Sequence, residues 1–193
     1  MPRIYEKFVA HAHDRLTKRF SDPTPKIIAA MDPAPVTALE IGVAQGEGAK
    51  LIIKAMLKRV EFVDYYGVDL FDEHTPAEIS DKLSWKKTNV TLLVGDSKQV
   101  LKNRTLPPMD FISIDGGHDY ETVKADWENC QKLIGPNTTI VFDDYKRCPG
   151  VTRAVNEIDQ MKYELTPMKV KHISLKYPFV TTYIGKCVVN VRA

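Results

Sequence analysis

One stretch decides the fold of this chain: Ala38-Leu39-Glu40-Ile41-Gly42-Val43-Ala44-Gln45-Gly46-Glu47-Gly48-Ala49-Lys50-Leu51. The short apolar run from Val36 to Ile41 contains β-branched residues, which predicts a buried strand. Three glycines follow it at once, Gly42, Gly46 and Gly48. From Ala49 to Leu57 the apolar residues recur at helical spacing, which predicts an amphipathic helix. The stretch therefore predicts a strand, a tight turn and a helix.

The glycines of this turn favour ligand binding. Glycine adopts positive φ readily and has no Cβ, so the backbone can closely approach a bound molecule. The helix that follows presents free N–H groups and the positive end of its dipole. We therefore expect the turn to hold a polar, partly anionic small molecule. Its pattern, Glu40-x-Gly42-x-x-x-Gly46-x-Gly48, differs from the G-x-G-x-x-G turn that binds a dinucleotide pyrophosphate.

The composition is that of one ordinary globular domain. A chain of 193 residues is long enough for one well-packed core and short for two. A formal net charge of +2 gives no indication of a nucleic-acid or membrane surface. The three cysteines are odd in number and far apart, which favours a reducing compartment over a disulfide framework or a zinc site. With no apolar run of membrane length and no signal-peptide core, the expected location is cytoplasmic.

Two helices are predicted before the first strand. The segment from Ile4 to Phe20 has apolar residues near one face and basic residues on the other. A short helix is expected from Lys26 to Met31, between pairs of prolines. We therefore divide the chain into an N-terminal helical extension, residues 1–35, and a ligand-binding domain, residues 36–193.

Strands and helices alternate through most of the remaining chain. Further strands are predicted at 61–70, 89–94, 109–115 and 138–142, and further helices at 76–85, 98–103, 119–134 and 151–158. The run Gly135-Pro136-Asn137 is expected to end the helix at 119–134. Two stretches near the end, 169–175 and 180–191, are rich in β-branched and aromatic residues and predict an antiparallel hairpin. The whole pattern indicates an α/β protein with a doubly wound, mostly parallel sheet.

Polar residues follow the second and third predicted strands. Asp69 ends the second strand, about twenty residues after the glycine turn, where a carboxylate can accept from both hydroxyls of a ribose. The alternative is an aspartate that only closes a turn. With Asp69 on the ribose, Leu70 would contact the adenine ring. Asp96 and Ser97 follow the third strand and suit the polar edge of adenine, although either residue could equally cap the next helix.

A cluster of ionisable residues follows the fourth and fifth predicted strands. Asp115 and His118 come after the fourth strand, and Asp143 and Asp144 come after the fifth. In an open parallel sheet ligands bind at the carboxyl ends of the strands, so these side chains should share one crevice. Like charges so close repel one another, and a hard cation such as Mg²⁺ or Mn²⁺ would resolve the conflict. The alternative is that Asp143 and Asp144 only cap a loop.

The glycine turn resembles the first motif of class I S-adenosylmethionine-dependent methyltransferases. The acids at 115, 143 and 144 resemble the metal ligands of the O-methyltransferases of the catechol and macrolide-sugar types, over about residues 36–158. The resemblance implies a Rossmann-like seven-stranded sheet of order 3-2-1-4-5-7-6. It implies an S-adenosylmethionine site in which Glu40 lies near the methionine end. Its cofactor residues would be Glu40, Gly42, Gly46, Gly48, Asp69, Leu70, Asp96, Ser97 and Asp115, and its metal ligands Asp115, Asp143 and Asp144.

The same resemblance implies the reaction. His118 stands where the catechol type has a lysine base and the sugar type a histidine, and a histidine can accept a proton near neutral pH. The expected activity is methylation of a hydroxyl on a small molecule such as a sugar or natural product. Asp144 replaces the amide of the catechol type, and Asp143 replaces the glutamate of the sugar type. No nucleic-acid or membrane partner is expected, and a homodimer is one option for its assembly.

Three alternative functions share part of this pattern. A nicotinamide-dependent oxidoreductase would have the strand, the glycine turn and the ribose acid, but would not need three clustered carboxylates. A non-catalytic S-adenosylmethionine-binding module would keep the pocket without turnover. A metal-dependent hydrolase would form product without S-adenosylmethionine.

Overall fold

The computed structural model describes residues 22–173 and 181–192, and all structural statements refer to these residues. Its strands are β1 Thr37–Ile41, β2 Val63–Asp69, β3 Thr88–Val94, β4 Met109–Ile114, β5 Ile134–Phe142, β6 Tyr163–Ile173 and β7 Thr181–Val191. Its helices are α1 Thr24–Ala30, α2 Glu47–Met56, α3 Pro76–Leu83, α4 Ser97–Asn103, α5 Tyr120–Cys130 and α6 Pro149–Asn156. The helix predicted from Ile4 to Phe20 lies outside the described residues.

The seven strands form one mixed sheet of order β3-β2-β1-β4-β5-β7-β6, which confirms the predicted topology. The five strands from β1 to β5 run parallel to one another. Strand β7 pairs antiparallel with both β5 and β6, as a C-terminal hairpin requires. The change of direction in strand order falls between β1 and β4, where α/β folds place their ligands.

The sheet is covered on both faces, as a buried parallel sheet must be. One apolar layer joins α1, α2 and α3 to the sheet through residues such as Ile28, Ile53 and Leu83. The opposite layer joins α4, α5 and α6 through residues such as Leu101 and Val155. Because β1 to β5 are parallel, their carboxyl ends all lie at one edge of the sheet, between the two helical layers.

The segment before β5 differs from the prediction. Helix α5 ends at Cys130, and a single 3₁₀ turn, Gln131–Leu133, leads directly into β5 at Ile134. The predicted helix terminator, Gly135-Pro136-Asn137, therefore lies within the strand. The hydroxyl of Thr138 accepts from the Gly135 N–H at 2.8 Å and donates to the Met109 carbonyl at 2.6 Å. These bonds let an irregular strand start remain paired where the β4–β5 register shifts.

Helix α1 packs closely on the rest of the domain. Ile28 is fully buried in the apolar layer of α2. The guanidinium of Arg59 donates to the carbonyl of Ile28 at 2.9 Å and also to that of Met31. The division of the chain at residue 35 stays a prediction, but its last helix is held by side-chain contacts to the core.

No helix in residues 22–173 or 181–192 has the length and apolar character needed to cross a membrane. Cys130, Cys148 and Cys187 are all free thiols.

Candidate active site

A cavity of about 430 Å³ opens at the carboxyl ends of β1 to β4. Six of the predicted cofactor residues line it: Gly42, Asp69, Leu70, Asp96, Ser97 and Asp115. The other three, Glu40, Gly46 and Gly48, are not among its lining residues and lie in or behind the turn. The structure thus brings most of the predicted cofactor residues into one crevice at the switch in strand order.

Gly42 joins the two sides of the crevice. Its φ is +89°, and a Cβ at this position would lie 2.1 Å from the carbonyl oxygen of Asp115. Its N–H donates to the carbonyl of Val68 at 2.9 Å. Only glycine combines this left-handed backbone with so close an approach to the β4 exit. The first glycine of the motif therefore holds the chains leaving β1 and β4 against each other.

Glu40 has a buried role in the turn. It is only 3% exposed, and its carboxyl group accepts from the hydroxyl of Tyr65 on β2. Burial raises the pKa of Glu40 to about 8, against the lowering effect of the Tyr65 hydrogen bond. A Cβ on Gly48 would lie 2.3 Å from Glu40 Oε1, so this glycine leaves room for the carboxyl group. The Glu40 side chain thus supports the start of α2 from beneath.

Asp69 is oriented by the backbone. Its Oδ2 accepts from the Ala44 N–H at 2.9 Å, and its Oδ1 accepts from the Phe71 N–H at 2.8 Å. Each carboxylate oxygen has a second lone pair, so the group can still accept from two further donors. The side chain therefore links the glycine turn to the end of β2 and presents free acceptor capacity to the cavity.

Of the residues after β3, Asp96 both lines the cavity and caps a helix. Asp96 is the N-cap of α4, and its side chain accepts from the Lys98 N–H at 3.0 Å. This confirms the capping alternative for Asp96 without removing it from the cavity wall. Leu70 is 55% exposed although it lines the cavity. An apolar side chain left open beside polar walls suits the face of a flat ring.

Asp115 lies where the two halves of the edge meet. Its N–H donates to the Ile41 carbonyl at 2.8 Å, which fixes it beside the glycine turn. The side chain lines the cavity. Desolvation by the surrounding protein and the nearby charge of Asp143 raise the pKa of Asp115 to about 7. The residue is nevertheless solvent-exposed, so water reaches its carboxyl group.

His118 and Asp144 form a pair beside the cavity. The imidazole Nε2 of His118 lies 3.0 Å from Asp144 Oδ2, and Arg147 Nη1 donates to Asp144 Oδ1 at 2.9 Å. Asp144 is 7% exposed, whereas half of the His118 side chain is exposed. If Nε2 carries the proton donated to Asp144, Nδ1 is left as the acceptor. The carboxylate orients the imidazole in the manner of an acid that supports a histidine base.

Asp143 points to a different partner. Its Oδ2 lies 2.5 Å from Lys186 Nζ on β7, and its Oδ1 accepts from the Asp144 N–H at 2.8 Å. Asp144 has a φ of +54°, so the chain leaves the strand direction directly after Asp143. The two neighbouring acids therefore bind different side chains: Asp143 binds Lys186, whereas Asp144 binds Arg147 and His118.

The three predicted metal ligands do not form one donor set. Among the described residues, the group with a donor atom from each member within 4.8 Å is His118, Asp144 and Cys148. Asp115 and Asp143 are outside it. Ligands of one Mg²⁺ at about 2.1 Å would lie within about 4.2 Å of one another. The carboxylates as placed do not fit a shared hard cation.

The structure adds several residues that the sequence analysis did not assign to the cofactor site. The cavity wall also contains Ala44, Lys98, Gly116, Gly117 and Thr122. Asp126 is fully buried behind this wall, and in the described part of the chain neither of its oxygens has a hydrogen-bond partner. Burial raises its pKa to about 6.

The sequence around Lys186 contains a pattern that could have identified it as a residue of this edge. It is a single cation in the apolar strand segment Gly185-Lys186-Cys187-Val188-Val189. A charge at such a position indicates a buried partner.

The fold is shared with many solved methyltransferases. An O-methyltransferase from Bacillus cereus, solved with SAH, superposes with a TM-score of 0.64 at 20% identity, over 100% of this chain and 91% of that chain. TomG of Streptomyces achromogenes, an O-methyltransferase of tomaymycin synthesis solved with SAM, gives 0.63 at 16% identity, over 90% and 81%. An rRNA methylase of Streptococcus thermophilus gives 0.60 at 13% identity, over 96% of each chain. At these identities the likeness shows the fold.

Sequence comparison with family models identifies the chain more directly. No protein of curated function matches it in sequence. The family model described as a methyltransferase domain matches residues 39–145, more than half of the chain, from β1 to the turn after β5. The seven-stranded sheet confirms the class I S-adenosylmethionine-dependent methyltransferase fold that the resemblance predicted. The chain therefore belongs to the methyltransferase domain family.

Proposed function

We propose that the chain transfers the methyl group of S-adenosylmethionine to a hydroxyl oxygen of a small molecule, with His118 as the base. The observation that carries this proposal is the position of the His118–Asp144 pair directly after Asp115, Gly116 and Gly117, which line the cavity. A methyl donor bound in the cavity would lie next to a histidine that a buried carboxylate orients.

Different cavity residues would contact different parts of the cofactor. The Asp69 carboxylate, fixed by two backbone N–H groups, would accept from the ribose hydroxyls. Leu70 would contact the adenine ring, and Asp96 with Ser97 would face its polar edge. Gly42 would let the backbone pass beneath the methionine end. Glu40 would support the same end from behind the turn, through Tyr65.

The chemistry requires one proton acceptor. When bound, S-adenosylmethionine supplies an electrophilic methyl group and leaves as the neutral thioether S-adenosylhomocysteine. His118 Nδ1 would take the proton from the acceptor hydroxyl, so that the oxygen electron pair forms the new O–C bond as the S–C bond breaks. Asp144 would stabilise the imidazolium, and Arg147 would hold Asp144 in place.

Assistance by Mg²⁺ or Mn²⁺ is a separate part of the sequence prediction. It depends on Asp115, Asp143 and Asp144 sharing one ion, and the contacts of Asp143 and Asp144 do not support that arrangement. No step of the mechanism proposed for this chain therefore passes through a metal ion.

The first test is ligand binding by isothermal titration calorimetry. We expect S-adenosylmethionine and S-adenosylhomocysteine to bind in the micromolar range, about −8 kcal/mol, and NADH not to bind. Binding of NADH without heat from S-adenosylmethionine would instead favour a nicotinamide-dependent oxidoreductase.

The second test measures S-adenosylhomocysteine release with a panel of polyhydroxylated acceptors. His118→Ala should lower turnover by about 10²–10⁴-fold while binding of S-adenosylmethionine stays within about twofold. His74→Ala is the matched control, because this histidine is not among the cavity or dyad residues. Turnover that survives in His118→Ala would refute its role as base. Product formed without S-adenosylmethionine would indicate a hydrolase.

An RNA acceptor is a second candidate. Three cationic side chains, Lys146, Arg147 and Arg153, line an open groove beside Asp144. A polyanion would bind there with a strong dependence on salt. Adding structured RNA to the acceptor panel at two salt concentrations separates this candidate from a neutral sugar.

A further inference from the structure

Lys186 is a buried cation among carboxylates. Only 4% of its surface is exposed. Its Nζ lies 2.5 Å from Asp143 Oδ2 and 3.4 Å from Asp22 Oδ2. Lysine is almost never so deeply buried without a charged partner, because removing an ammonium from water is costly. The close pair with Asp143 offsets that cost and fixes both side chains.

Strand β7 brings Lys186 to this edge. Cys187 pairs with Phe142, the last residue of β5, so Lys186 lies level with the start of the turn at Asp143. The preceding residue, Gly185, allows the Tyr145 carbonyl to approach. A Cβ on Gly185 would lie 1.8 Å from that oxygen. The middle of β7 therefore holds the turn from Asp143 to Tyr145 through a backbone contact and an ion pair.

The two acids of the turn are already compensated. Asp143 binds Lys186 and the Asp144 N–H, and Asp144 binds His118 and Arg147. A divalent cation entering beside Asp143 would have to displace the ammonium or lie within a few ångströms of it. Like charges that close repel strongly at the edge of a protein, where the surroundings screen them less than bulk water does. The ammonium and the metal ion therefore compete for one place.

We propose that the ammonium of Lys186 is the resident cation of this acidic edge, and that the chain works without a divalent metal ion. This inference rests on the function proposed above for the same site. Lys186 is a positioning residue. It holds Asp143 and, through the short turn, the Asp144 carboxylate that orients His118. The charge compensation that the sequence predicts for Mg²⁺ or Mn²⁺ is supplied by a side chain of β7.

The test is a Mn²⁺ titration of the full chain followed by electron paramagnetic resonance, which needs no methyl acceptor. We expect the wild-type protein to bind Mn²⁺ more weakly than about 1 mM, the limit of the weakest protein sites for hard cations. Lys186→Met, which keeps an unbranched side chain one atom shorter and removes the charge, should bind Mn²⁺ at least about tenfold more tightly. Adding Asp143→Asn to that variant should abolish the gain.

Two controls exclude a merely structural explanation. Lys186→Arg retains the cation and should bind Mn²⁺ as weakly as the wild type. Lys132→Met removes a cation from the opposite end of the domain, where its ammonium donates to the Leu101 carbonyl, and should leave Mn²⁺ binding unchanged. S-adenosylmethionine affinity of the wild type should be equal within about twofold in EDTA and in excess Mg²⁺.

The outcomes separate this inference from the proposed function. Micromolar Mn²⁺ binding by the wild type, removed by Asp143→Asn alone, would overturn the role of Lys186 even if S-adenosylmethionine binds. Absence of S-adenosylmethionine binding would refute the proposed function, whatever the Mn²⁺ result. If Lys186→Met does not fold, the wild-type protein and Asp143→Asn decide the question: equally weak binding by both supports the inference.

Discussion

The two halves of the sheet edge hold their acids in different ways. In the β1–β2–β3 half, backbone N–H groups orient Asp69 and Asp96, and free acceptor capacity faces an open cavity. In the β5–β7 half, other side chains already bind both acids: Lys186 binds Asp143, and Arg147 with His118 binds Asp144. The first arrangement is prepared for a ligand, whereas the second is already neutralised. An acidic side chain at a strand end is therefore a ligand site only where its partners leave lone pairs unused.

The largest expected effect breaks the contact between the glycine turn after β1 and the exit of β4, which lies between the two halves. Gly42→Ala would place a Cβ 2.1 Å from the Asp115 carbonyl oxygen at a φ of +89°. We expect a loss of about 4 kcal/mol in unfolding free energy, and a fall of roughly 10 °C in Tm, from the clash and the strained backbone. The measurement is thermal unfolding by circular dichroism. Gly135→Ala is the control, because a Cβ there meets nothing closer than 3.8 Å and should cost less than about 1 kcal/mol. Equal losses in the two variants would contradict the account.

The next effect tests the buried acid behind the glycine turn. Burial raises the pKa of Glu40 to about 8 from 4.5. The folded state therefore binds a proton that the unfolded state releases above about pH 4.5. The free energy of unfolding contributed by protonated Glu40 is fully present below pH 4.5 and is lost as the pH rises to about 8. Glu40→Gln, whose amide does not ionise in this range, should remove this decline in unfolding free energy. Urea unfolding at several pH values measures it, with exposed Glu128→Gln as the control that should leave the slope unchanged.

A smaller effect sharpens the recognition role of the first half. Asp69→Asn should weaken S-adenosylmethionine binding by about 30-fold, since a carboxylate acceptor is worth about 2 kcal/mol more than a neutral one here. Asp64→Asn is the control, because Asp64 is on the same strand and accepts from Asn89. The affinity of this variant for S-adenosylmethionine should match that of the wild type. Isothermal titration calorimetry gives both values, and equal affinities in the two variants would remove Asp69 from the site.

The smallest effect separates a structural role from a binding role at Asp96. Asp96→Ala should lose about 1 kcal/mol of stability, because the side chain caps α4. Asp96→Asn should keep the cap and its stability. Any loss of S-adenosylmethionine affinity common to both variants then reports the cavity contact alone. A weakened affinity in Asp96→Ala only would assign the residue to the cap.

The sequence predicted what local patterns determine. The strand, glycine turn and helix around Gly42 follow from spacing and backbone freedom, and the alternation of elements gives the sheet order once the family resemblance is added. The pairing of Lys186 with Asp143 joins residues 43 positions apart. No local propensity specifies which cation reaches an acid across that distance. The contact between Tyr65 and Glu40 was missed for the same reason.

The backbone at the turn after β5 explains why Asp143 and Asp144 bind different partners. Asp143 still follows the strand, but Asp144 has left-handed backbone geometry. Adjacent strand residues point to opposite faces, so two consecutive acids share a partner only if the turn rotates one of them back. Sequence alone does not specify that rotation. Here Arg147 and His118 bind one acid on one side, and Lys186 binds the other.

The antiparallel direction of β7 has a consequence for biosynthesis. A ribosome makes Asp143 well before it makes the hairpin, and β7 is the last strand of the sheet. While the nascent chain lacks that strand, the acid at the tip of β5 has no ammonium to bind. The charge compensation of this acidic edge is thus completed only when the final strand inserts between β5 and β6. A polypeptide released before residue 186 would therefore carry an uncompensated carboxylate at the end of β5.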